Sequence, residues 1–208
     1  MRFELLTEGR TEKKAVRQFL HDAINTRLTR KVGLAPTGFE GNGEYLRKVA
    51  RKAQMFLNAP DAAEVIAVVG LLDLYGLPEH WQSGSTSEER YREVKRKIEE
   101  QVGDRRFRQF FAVHETEAWL LSDPGVFPAG VQIRLRAVSG YPERVDLSDP
   151  PARRLNTAYQ QELKRGYRKV VDGQALFSRL DSQTVMDKCP CFAAMIDELV
   201  HLARLAGA

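Results

Sequence analysis

The hydrophobic positions in the first half of the chain form short continuous runs separated by helically spaced stretches. Residues 3–7 and 107–113 are apolar runs of strand length, and residues 64–72 (EVIAVVGLL) are almost entirely aliphatic. A strand that is apolar on both faces is typical of the interior of a parallel sheet, because helices cover both of its faces. The pattern therefore predicts three strands in this half.

Amphipathic helices are predicted between these strands. Apolar residues recur at helical spacing from about residue 12 to 29, from 46 to 57 and from 91 to 102. Thr86 and Glu89 form a capping box before the third helix. Residues 34–43 contain Pro36 and three glycines, which predicts a loop with one short strand. The order strand, helix, strand, helix, strand is the one found in parallel α/β sheets.

The composition changes after Asp123, where five prolines fall within residues 124–151. Residues 131–135 alternate and predict one edge strand in a stretch that otherwise indicates loop. Helices resume at about residue 151, and the last one begins at Pro190. We therefore predict an α/β core at 1–123. We expect a loop-rich, then helical extension at 124–208 that packs on this core within one globular unit.

The composition also limits the function. The chain has 208 residues, enough for one domain, and no apolar run of the roughly 18–20 residues that a membrane span needs. The N-terminal residues have no apolar signal-peptide segment, so we expect a cytoplasmic protein. The net charge of +4 permits a polyanionic partner without requiring one. Cys189 and Cys191 are too close for a usual disulfide, and no second cysteine pair completes a zinc site.

Acidic residues follow the three predicted strands. Glu8 follows the first strand, Asp73 the second, and Glu115 and Glu117 the third. If the strands are parallel neighbours, these carboxylates lie at the edge of the sheet where functional groups of such folds gather. Converging carboxylates repel one another, and a hard cation such as Mg²⁺ or Mn²⁺ stabilises them. The alternative interpretation is that each acid is an ordinary helix N-terminal residue favoured by the helix dipole.

Several motifs spread over the chain resemble one bacterial family. They are EGRTE at 8–12, LDLYGLP at 72–78, HETEAW at 114–119, PARRL at 151–155, GYRK at 166–169 with DG at 172–173, and CPCF at 189–192. The family is domain-of-unknown-function family number 4276, held to be similar to the TOPRIM domain of topoisomerases, bacterial primases and overcoming-lysogenization-defect nucleases. The resemblance implies an α/β fold with a TOPRIM- or Rossmann-like, mostly parallel sheet flanked by helices, and a helical C-terminal extension.

The resemblance to TOPRIM also implies roles for the acids. Glu8 would be the general acid/base or a metal-associated glutamate, and Asp73 would be a metal ligand. Tyr75 stands where TOPRIM domains have a second aspartate, and a phenol with a pKa of about 10 is a poor ligand for Mg²⁺. Either Glu115 or Glu117 supplies the missing oxygen, or the site binds metal weakly or not at all.

Basic residues and a histidine complete the predicted site. We predict catalytic roles for His114, whose ring titrates close to neutral pH, and for Arg10 and Lys169, which would neutralise charge that develops on a phosphate. A basic segment with interleaved tyrosines is predicted to contact nucleic acid through Arg153, Arg154, Tyr167 and Arg168. The alternative interpretations are a hydrogen-bonded structural histidine and a solvated helix face.

Two functions of different classes follow from these residues. The leading hypothesis is a phosphodiester-acting, nuclease-like enzyme that depends on Mg²⁺ or Mn²⁺. The resemblance implies a setting in bacterial anti-phage defence or genome maintenance, beside an ATPase partner. The second hypothesis is a non-catalytic module that binds nucleic acid or protein through a degenerate TOPRIM site. A small-molecule phosphatase or nucleotide-binding enzyme stays open as a third class.

Overall fold

The sheet has four parallel strands. A computed structural model describes residues 1–9, 13–78, 81, 86–144 and 149–208 of the chain. In these residues the strand order is β2-β1-β3-β4, and every neighbouring pair is parallel. The strands are β1 (Arg2–Glu8), β2 (Gly33–Phe39), β3 (Val65–Asp73) and β4 (Phe107–Ala112). This is an α/β, Rossmann-like arrangement.

Helices cover both faces of the sheet. In chain order they are α1 (Lys13–Asn25), α2 (Gly41–Leu57), α3 (Ser87–Val102), α4 (Glu117–Leu121), α5 (Ala129–Leu135), α6 (Pro151–Leu163), α7 (Val171–Phe177), α8 (Ser182–Lys188) and α9 (Pro190–Leu205). The cluster on one face joins apolar residues of α1 and α9, and the cluster on the other joins those of α2 and α3. None of the helices in the described ranges is both long and apolar enough to cross a membrane.

Strand β1 shows how the alternation of side chains divides the core. Phe3 and Leu5 belong to the cluster that α1 and α9 complete, whereas Leu6 belongs to the cluster of α2 and α3. Successive side chains of a strand point to opposite faces, so β1 must be apolar throughout to be covered on both sides. This explains why its interior reads as a continuous apolar run.

The chain changes direction between β1 and β3. It leaves β1 through α1 to reach β2 on one side, and it returns through α2 to β3 on the other side of β1. The connection that follows β1 runs toward β2, and the connection that follows β3 runs the opposite way, toward β4. A crevice therefore opens outside the carboxyl ends of β1 and β3. Open α/β sheets bind their ligands at such a point.

The condition for the carboxylates to converge is met, because the three strands that precede the acids, β1, β3 and β4, are parallel neighbours. The capping box is also confirmed, since Thr86 and Glu89 bond to each other's backbone amides at the start of α3. The short strand expected within residues 34–43 is confirmed as β2, but the loop expected around it is wrong in extent, because β2 ends at Phe39 and α2 begins at Gly41. Pro36 lies within β2 and is tolerated because β2 is an edge strand.

The edge strand predicted at 131–135 was also wrong, because these residues end the helix α5. Val131 and Leu135 are buried, while Ile133 between them is 69% exposed. Residues four apart lie on the same side of a helix, so this burial pattern fits a helix as well as the sequence alternation fits a strand. The extended loop expected around it also contains short 3₁₀ segments.

The C-terminal helices contact the sheet-covering helix α1. The helix α1 contacts α7, α8 and α9. An aromatic group joins three parts of the chain, since the ring of Phe192 on α9 lies 5.6 Å from Phe19 on α1 and 4.9 Å from Trp119 on α4. Residues 124–208 thus complete the apolar cluster on the face of the sheet that α1 covers. They also place the segment between α6 and α7 at the carboxyl edge of the sheet.

Candidate active site

A cavity of about 270 Å³ lies at the carboxyl ends of β1 and β3. Its walls come from the ends of both strands, from the start of α4, from α1, and from the segment between α6 and α7. The cavity therefore occupies the crevice where the strand order reverses. Gly9, at the end of β1, has a φ of 71°, a left-handed conformation that favours glycine, and its amide donates to Phe39 O at 2.8 Å.

Asp73 is the last residue of β3 and faces this cavity. Its Oδ1 accepts a hydrogen bond from the backbone amide of Thr116 at 3.0 Å, and its Oδ2 lies 3.8 Å from Lys169 Nζ. Burial raises the pKa of Asp73 to about 7; Lys169 opposes this rise, and the charge of Glu117 adds to it. The carboxyl is therefore close to its protonation midpoint at neutral pH.

Glu117 is the first residue of α4 and its side chain is 1% exposed. Its Oε2 lies 3.3 Å from Lys169 Nζ and accepts a hydrogen bond from Thr116 Oγ1 at 3.4 Å. Burial raises the pKa of Glu117, and Lys169 opposes that shift. The lysine ammonium is thus shared by the buried Glu117 and the half-buried Asp73, which come from different elements.

The segment between α6 and α7 holds Lys169 in place. Asp172 accepts two hydrogen bonds from the Arg165 guanidinium, at 2.7 and 2.9 Å, and one from the Arg168 amide at 2.8 Å. Asn156 Oδ1 accepts from the Tyr167 amide at 3.1 Å. Burial alone would raise the pKa of Asp172, but the bonds from Arg165 and Arg168 outweigh it and the pKa is lowered. This network anchors the turn that carries the lysine.

The acids predicted from the sequence separate into two groups. Glu8, Asp73 and Glu117 line the cavity. Glu115 is not among the described lining residues, because its Oε2 accepts the Ala152 amide at 2.9 Å at the start of α6. The convergence of carboxylates at one edge, expected from the strand order, is therefore met by three of the four acids.

The donor set suits a hard divalent cation in its chemistry. Asp73 and Glu117 offer carboxylate oxygens, and Mg²⁺ commonly takes one or two protein carboxylates with the remaining positions filled by water and substrate phosphate. Within the described ranges no group of three or more His, Cys, Asp and Glu residues is arranged to hold a metal ion. Any cation here would depend on these two carboxylates, and Lys169 would have to yield its contacts with them.

Of three other residues considered in the sequence analysis, two are not among the cavity lining and one belongs to a range that the structure does not describe. His114 is 2% exposed, and its carbonyl accepts the Tyr75 amide at 2.8 Å. It does not appear among the described residues that line the cavity, and its catalytic role stays a prediction. Tyr75 is 42% exposed and also lies outside the lining. Arg10 lies outside the described residues.

The residues predicted to contact nucleic acid have different surroundings. Tyr167 lines the cavity, and its ring packs edge-on against Tyr159 at 5.4 Å. Arg154 donates to the carbonyl of Asp149 at 3.0 Å and lies 3.3 Å from its carboxylate. Arg153 and Arg168 are exposed, in the first turn of α6 and in the segment before α7. Tyr167 is thus the member of this set that reaches the cavity, and the exposed arginines stand on the surface of the same segments.

Sequence reasoning missed several polar residues of the cavity wall, among them Thr7 and Arg17. Thr7 is 3% exposed, and neither its Oγ1 nor the buried Nε of Arg17 has a hydrogen-bond partner among the described residues. One sequence signal could have found Thr7: it shares the strand face of Phe3 and Leu5, so a polar group falls in line with core positions. Arg17 resembles any cation on an amphipathic helix.

Comparison with known proteins shows the family of the chain. No curated protein and no solved structure matches it. A family model, described as a domain of unknown function (DUF4276), matches residues 7–200. This match includes Glu8 at the end of β1, the whole of β3 with Asp73, and the segment that carries Lys169. The chain therefore belongs to the DUF4276 family of domains of unknown function.

Proposed function

We propose that the protein is a Mg²⁺- or Mn²⁺-dependent enzyme that acts on phosphodiesters, a nuclease-like protein with a TOPRIM-like site. One observation carries the proposal: Glu8, Asp73, Glu117 and Lys169, distant in sequence, line one cavity at the point where the strand order reverses. Buried acids with perturbed pKa values beside a cation are typical of functional sites rather than of solvated surfaces.

Asp73 and Glu117 are the residues that would hold the cation. When bound, a divalent cation neutralises phosphate charge and lowers the pKa of a bound water. Burial and neighbouring carboxylates raise the pKa of both acids, because both effects disfavour the ionised form. A bound cation would favour the ionised form again, so the raised pKa values support this assignment.

The other residues of the cavity have separate roles in this proposal. Glu8, which lines the cavity at the end of β1, would take or give a proton at the reacting oxygen. Lys169, on the segment between α6 and α7, lies beside Asp73 and Glu117. It stabilises negative charge that develops on the phosphate. Tyr167, on the same segment, offers an aromatic ring beside the cavity on which an unpaired base could stack.

Cleavage of labelled single-stranded DNA and of plasmid tests the proposal. The wild type is incubated with Mg²⁺ or Mn²⁺ beside Glu8→Gln, Asp73→Asn and Lys169→Met. The matched control is Asp197→Asn, which makes the same chemical change at an exposed position of α9. We expect metal-dependent cleavage that the three site variants reduce at least about 100-fold and the control leaves unchanged. Cleavage that survives all three substitutions, or none in the wild type with either metal and substrate, contradicts the proposal.

A specific observation favours the second candidate, a non-catalytic binding module. Lys169 already offsets part of the charge of Asp73 and Glu117, and Tyr75 stands where the TOPRIM pattern has a second aspartate. Such a module would shift labelled DNA without cutting it, and raising the salt concentration would weaken the complex steeply. The same cleavage reactions, run beside a gel-shift titration, separate the two functions.

The biological setting rests on the resemblance to TOPRIM nucleases. We propose a role in bacterial defence or genome maintenance together with an ATPase, which would couple cleavage to recognition of foreign or damaged DNA. Deletion of the gene followed by phage challenge tests the defence role, and pull-down from the native host tests the ATPase. Unchanged phage plating and no recovered ATPase would contradict this setting without touching the proposed chemistry.

A further inference from the structure

One wall of the cavity carries polar groups that the folded chain leaves without partners. Thr7 Oγ1 and Arg17 Nε are both buried, and neither has a hydrogen-bond partner in the part of the chain that the structure describes. Both residues line the cavity. Buried polar groups in proteins are nearly always hydrogen-bonded, so two orphaned groups at one cavity need an explanation.

The cost of leaving these groups unpaired is substantial. A buried hydroxyl, or a buried N–H of a guanidinium, loses without a partner the hydrogen bond that it makes to water in the unfolded chain. The apolar neighbours Leu5, Val16 and Phe177 line the same cavity, so an apolar residue would fit in place of Thr7. A polar pair kept at this cost indicates a ligand that completes the missing bonds.

The two groups and the acids come from different elements that border the cavity on the same face of the sheet. Thr7 shares the face of β1 with Phe3 and Leu5, the face that packs against α1, and Arg17 comes from α1 itself. Asp73, two residues after Leu71, is on the same face of the neighbouring strand β3, and Glu117 begins α4. The cavity therefore has a donor wall, formed by Thr7 and Arg17, and an acidic wall, formed by Asp73 and Glu117.

We propose that Thr7 and Arg17 form the subsite that binds a non-bridging oxygen of the substrate phosphodiester. This inference rests on the proposed function and names the residues that hold its substrate. Guanidinium groups make strong charge-assisted hydrogen bonds to phosphate oxygens, and a threonine hydroxyl adds a neutral donor beside them. The phosphate then lies between the donor wall and the acidic wall.

The charge of the cavity selects a diester over a monoester. Among the described residues that line it, three carboxylates (Glu8, Asp73, Glu117) face two cations (Arg17, Lys169), a formal charge of −1 with all groups ionised. A divalent cation and a singly charged phosphodiester bring the total to zero. A doubly charged phosphomonoester leaves an uncompensated buried charge, which is unfavourable in a desolvated site.

Substitution of Thr7 gives a result that a purely structural role cannot produce. The probe is the dinucleotide thymidylyl-thymidine, which has one phosphodiester, titrated in the presence of Ca²⁺. We expect Thr7→Val to unfold at the same or a higher temperature than the wild type, because it removes an unpaired buried hydroxyl. The same variant should bind the dinucleotide roughly 2- to 10-fold more weakly, and Thr7→Ser should restore most of the affinity. Unchanged affinity in Thr7→Val contradicts the assignment of Thr7.

Arg17 is tested by binding and by the signal of its own side chain. Arg17→Met should weaken dinucleotide binding about 10- to 100-fold, and Arg17→Lys should recover only part of the loss because it lacks the planar fork. Lys14→Met, one turn earlier on the exposed face of α1, is the matched control and should bind as the wild type does. The Arg17 Nε–H signal, assigned by its loss in Arg17→Lys, should shift on addition of the dinucleotide and much less with inorganic phosphate.

The outcomes separate this inference from the proposed function. A shifted Nε–H signal and a weakened Arg17→Met complex support the subsite even if the wild type cuts nothing with Mg²⁺ or Mn²⁺. Metal-dependent cleavage with unchanged KM and kcat in Arg17→Met and Thr7→Val supports the enzyme and overturns the subsite. No binding of the dinucleotide by the wild type, or an equal response to inorganic phosphate, also overturns the proposal.

Discussion

The acids of the cavity and the acids of α3 are the same residue types in opposite situations. On the exposed face of α3, Glu93 lies 3.0 Å from Arg96 and 3.4 Å from Lys97. The hydrogen bond from Arg96 lowers the pKa of Glu93. In the cavity, burial raises the pKa of Asp73 and Glu117 although both lie near Lys169.

This difference shows that charge density along the chain is a poor guide to chemistry. The α3 segment is rich in Lys, Arg and Glu, but its ion pairs are solvated and form within the helix at spacings of three and four residues. Exposed pairs of this kind contribute little to stability. The cavity acids come from separate elements, and only the fold brings them together and removes water from them.

Removal of Lys169 should have the largest effect. Lys169→Met leaves Asp73 and Glu117 without their shared counter-ion, and we expect a loss of about 3 kcal/mol in the free energy of unfolding at pH 8. Lys97→Met on α3 should change it by less than about 0.5 kcal/mol. Urea unfolding of both variants is the measurement. Adding Glu117→Gln to Lys169→Met should recover part of the loss, and full additivity of the two substitutions would contradict the coupling.

The stability should depend on pH in a way that identifies Asp73. Its pKa is about 7 in the folded protein against 3.8 ordinarily, so the folded state retains a proton that the unfolded state has lost between these values. The contribution of the Asp73 carboxyl to the free energy of unfolding therefore falls as the pH rises from about 4 to about 7, and it is constant above about 7.

Asp73→Asn should remove this slope and be more stable than the wild type at pH 8 but not at pH 4, because an amide needs no proton to be neutral. Chemical denaturation across this pH range measures the effect. A variant with the same pH slope as the wild type would show that Asp73 titrates normally.

The carboxyl of Asp172 should change the pH dependence of stability in the sense opposite to Asp73, and by a smaller amount. Its pKa is lowered in the fold, so its contribution is present above its ordinary pKa and is lost as the pH falls through the folded value. Asp172→Asn should cost about 1 kcal/mol at pH 7 and release the segment that positions Lys169. If cleavage is observed in the wild type, this variant should retain KM and lose kcat. An unchanged kcat would show that Lys169 needs no such anchor.

A substitution on α3 is expected to change stability and dinucleotide affinity least. Arg96 lies near both Glu93 and Glu100, and its side chain is 54% exposed. Arg96→Met should leave the urea midpoint and the dinucleotide affinity unchanged within the error of the measurement, because solvent screens both pairs. A weakened dinucleotide complex in this variant would indicate that nucleic acid also contacts α3, and the contrast between the two regions would not hold.

Much of the architecture could be predicted from local patterns. The continuous apolar run of β3 indicated a central parallel strand, and Glu8 and Asp73 could be placed at one edge because parallel strands end on the same side. Lys169 was predicted for the site from its place in a family-like motif, and the structure places it between Asp73 and Glu117. Alternation did not distinguish helix from strand at α5, where five residues are too few to fix a period.

The donor wall could not be predicted, for a physical reason. Thr7 is an ordinary strand residue and Arg17 an ordinary helix cation; what makes them distinctive is burial without a partner, which only the packed structure shows. Glu115 is predicted with the metal ligands because it follows the third predicted strand, but its carboxylate accepts a backbone amide at the start of α6. That contact depends on a helix some 37 residues further along the chain.

The titration of the Asp73 carboxyl carbon, followed by NMR in metal-free protein, tests the account most directly. The central claim is that the cavity desolvates this acid, whereas the α3 acids stay solvated. The account predicts a midpoint of about 7 for Asp73, with Glu93 on α3 titrating below its ordinary range. A midpoint near the ordinary 3.8 for Asp73 would contradict it, because a carboxylate that titrates like a surface acid does not lie in a desolvated site.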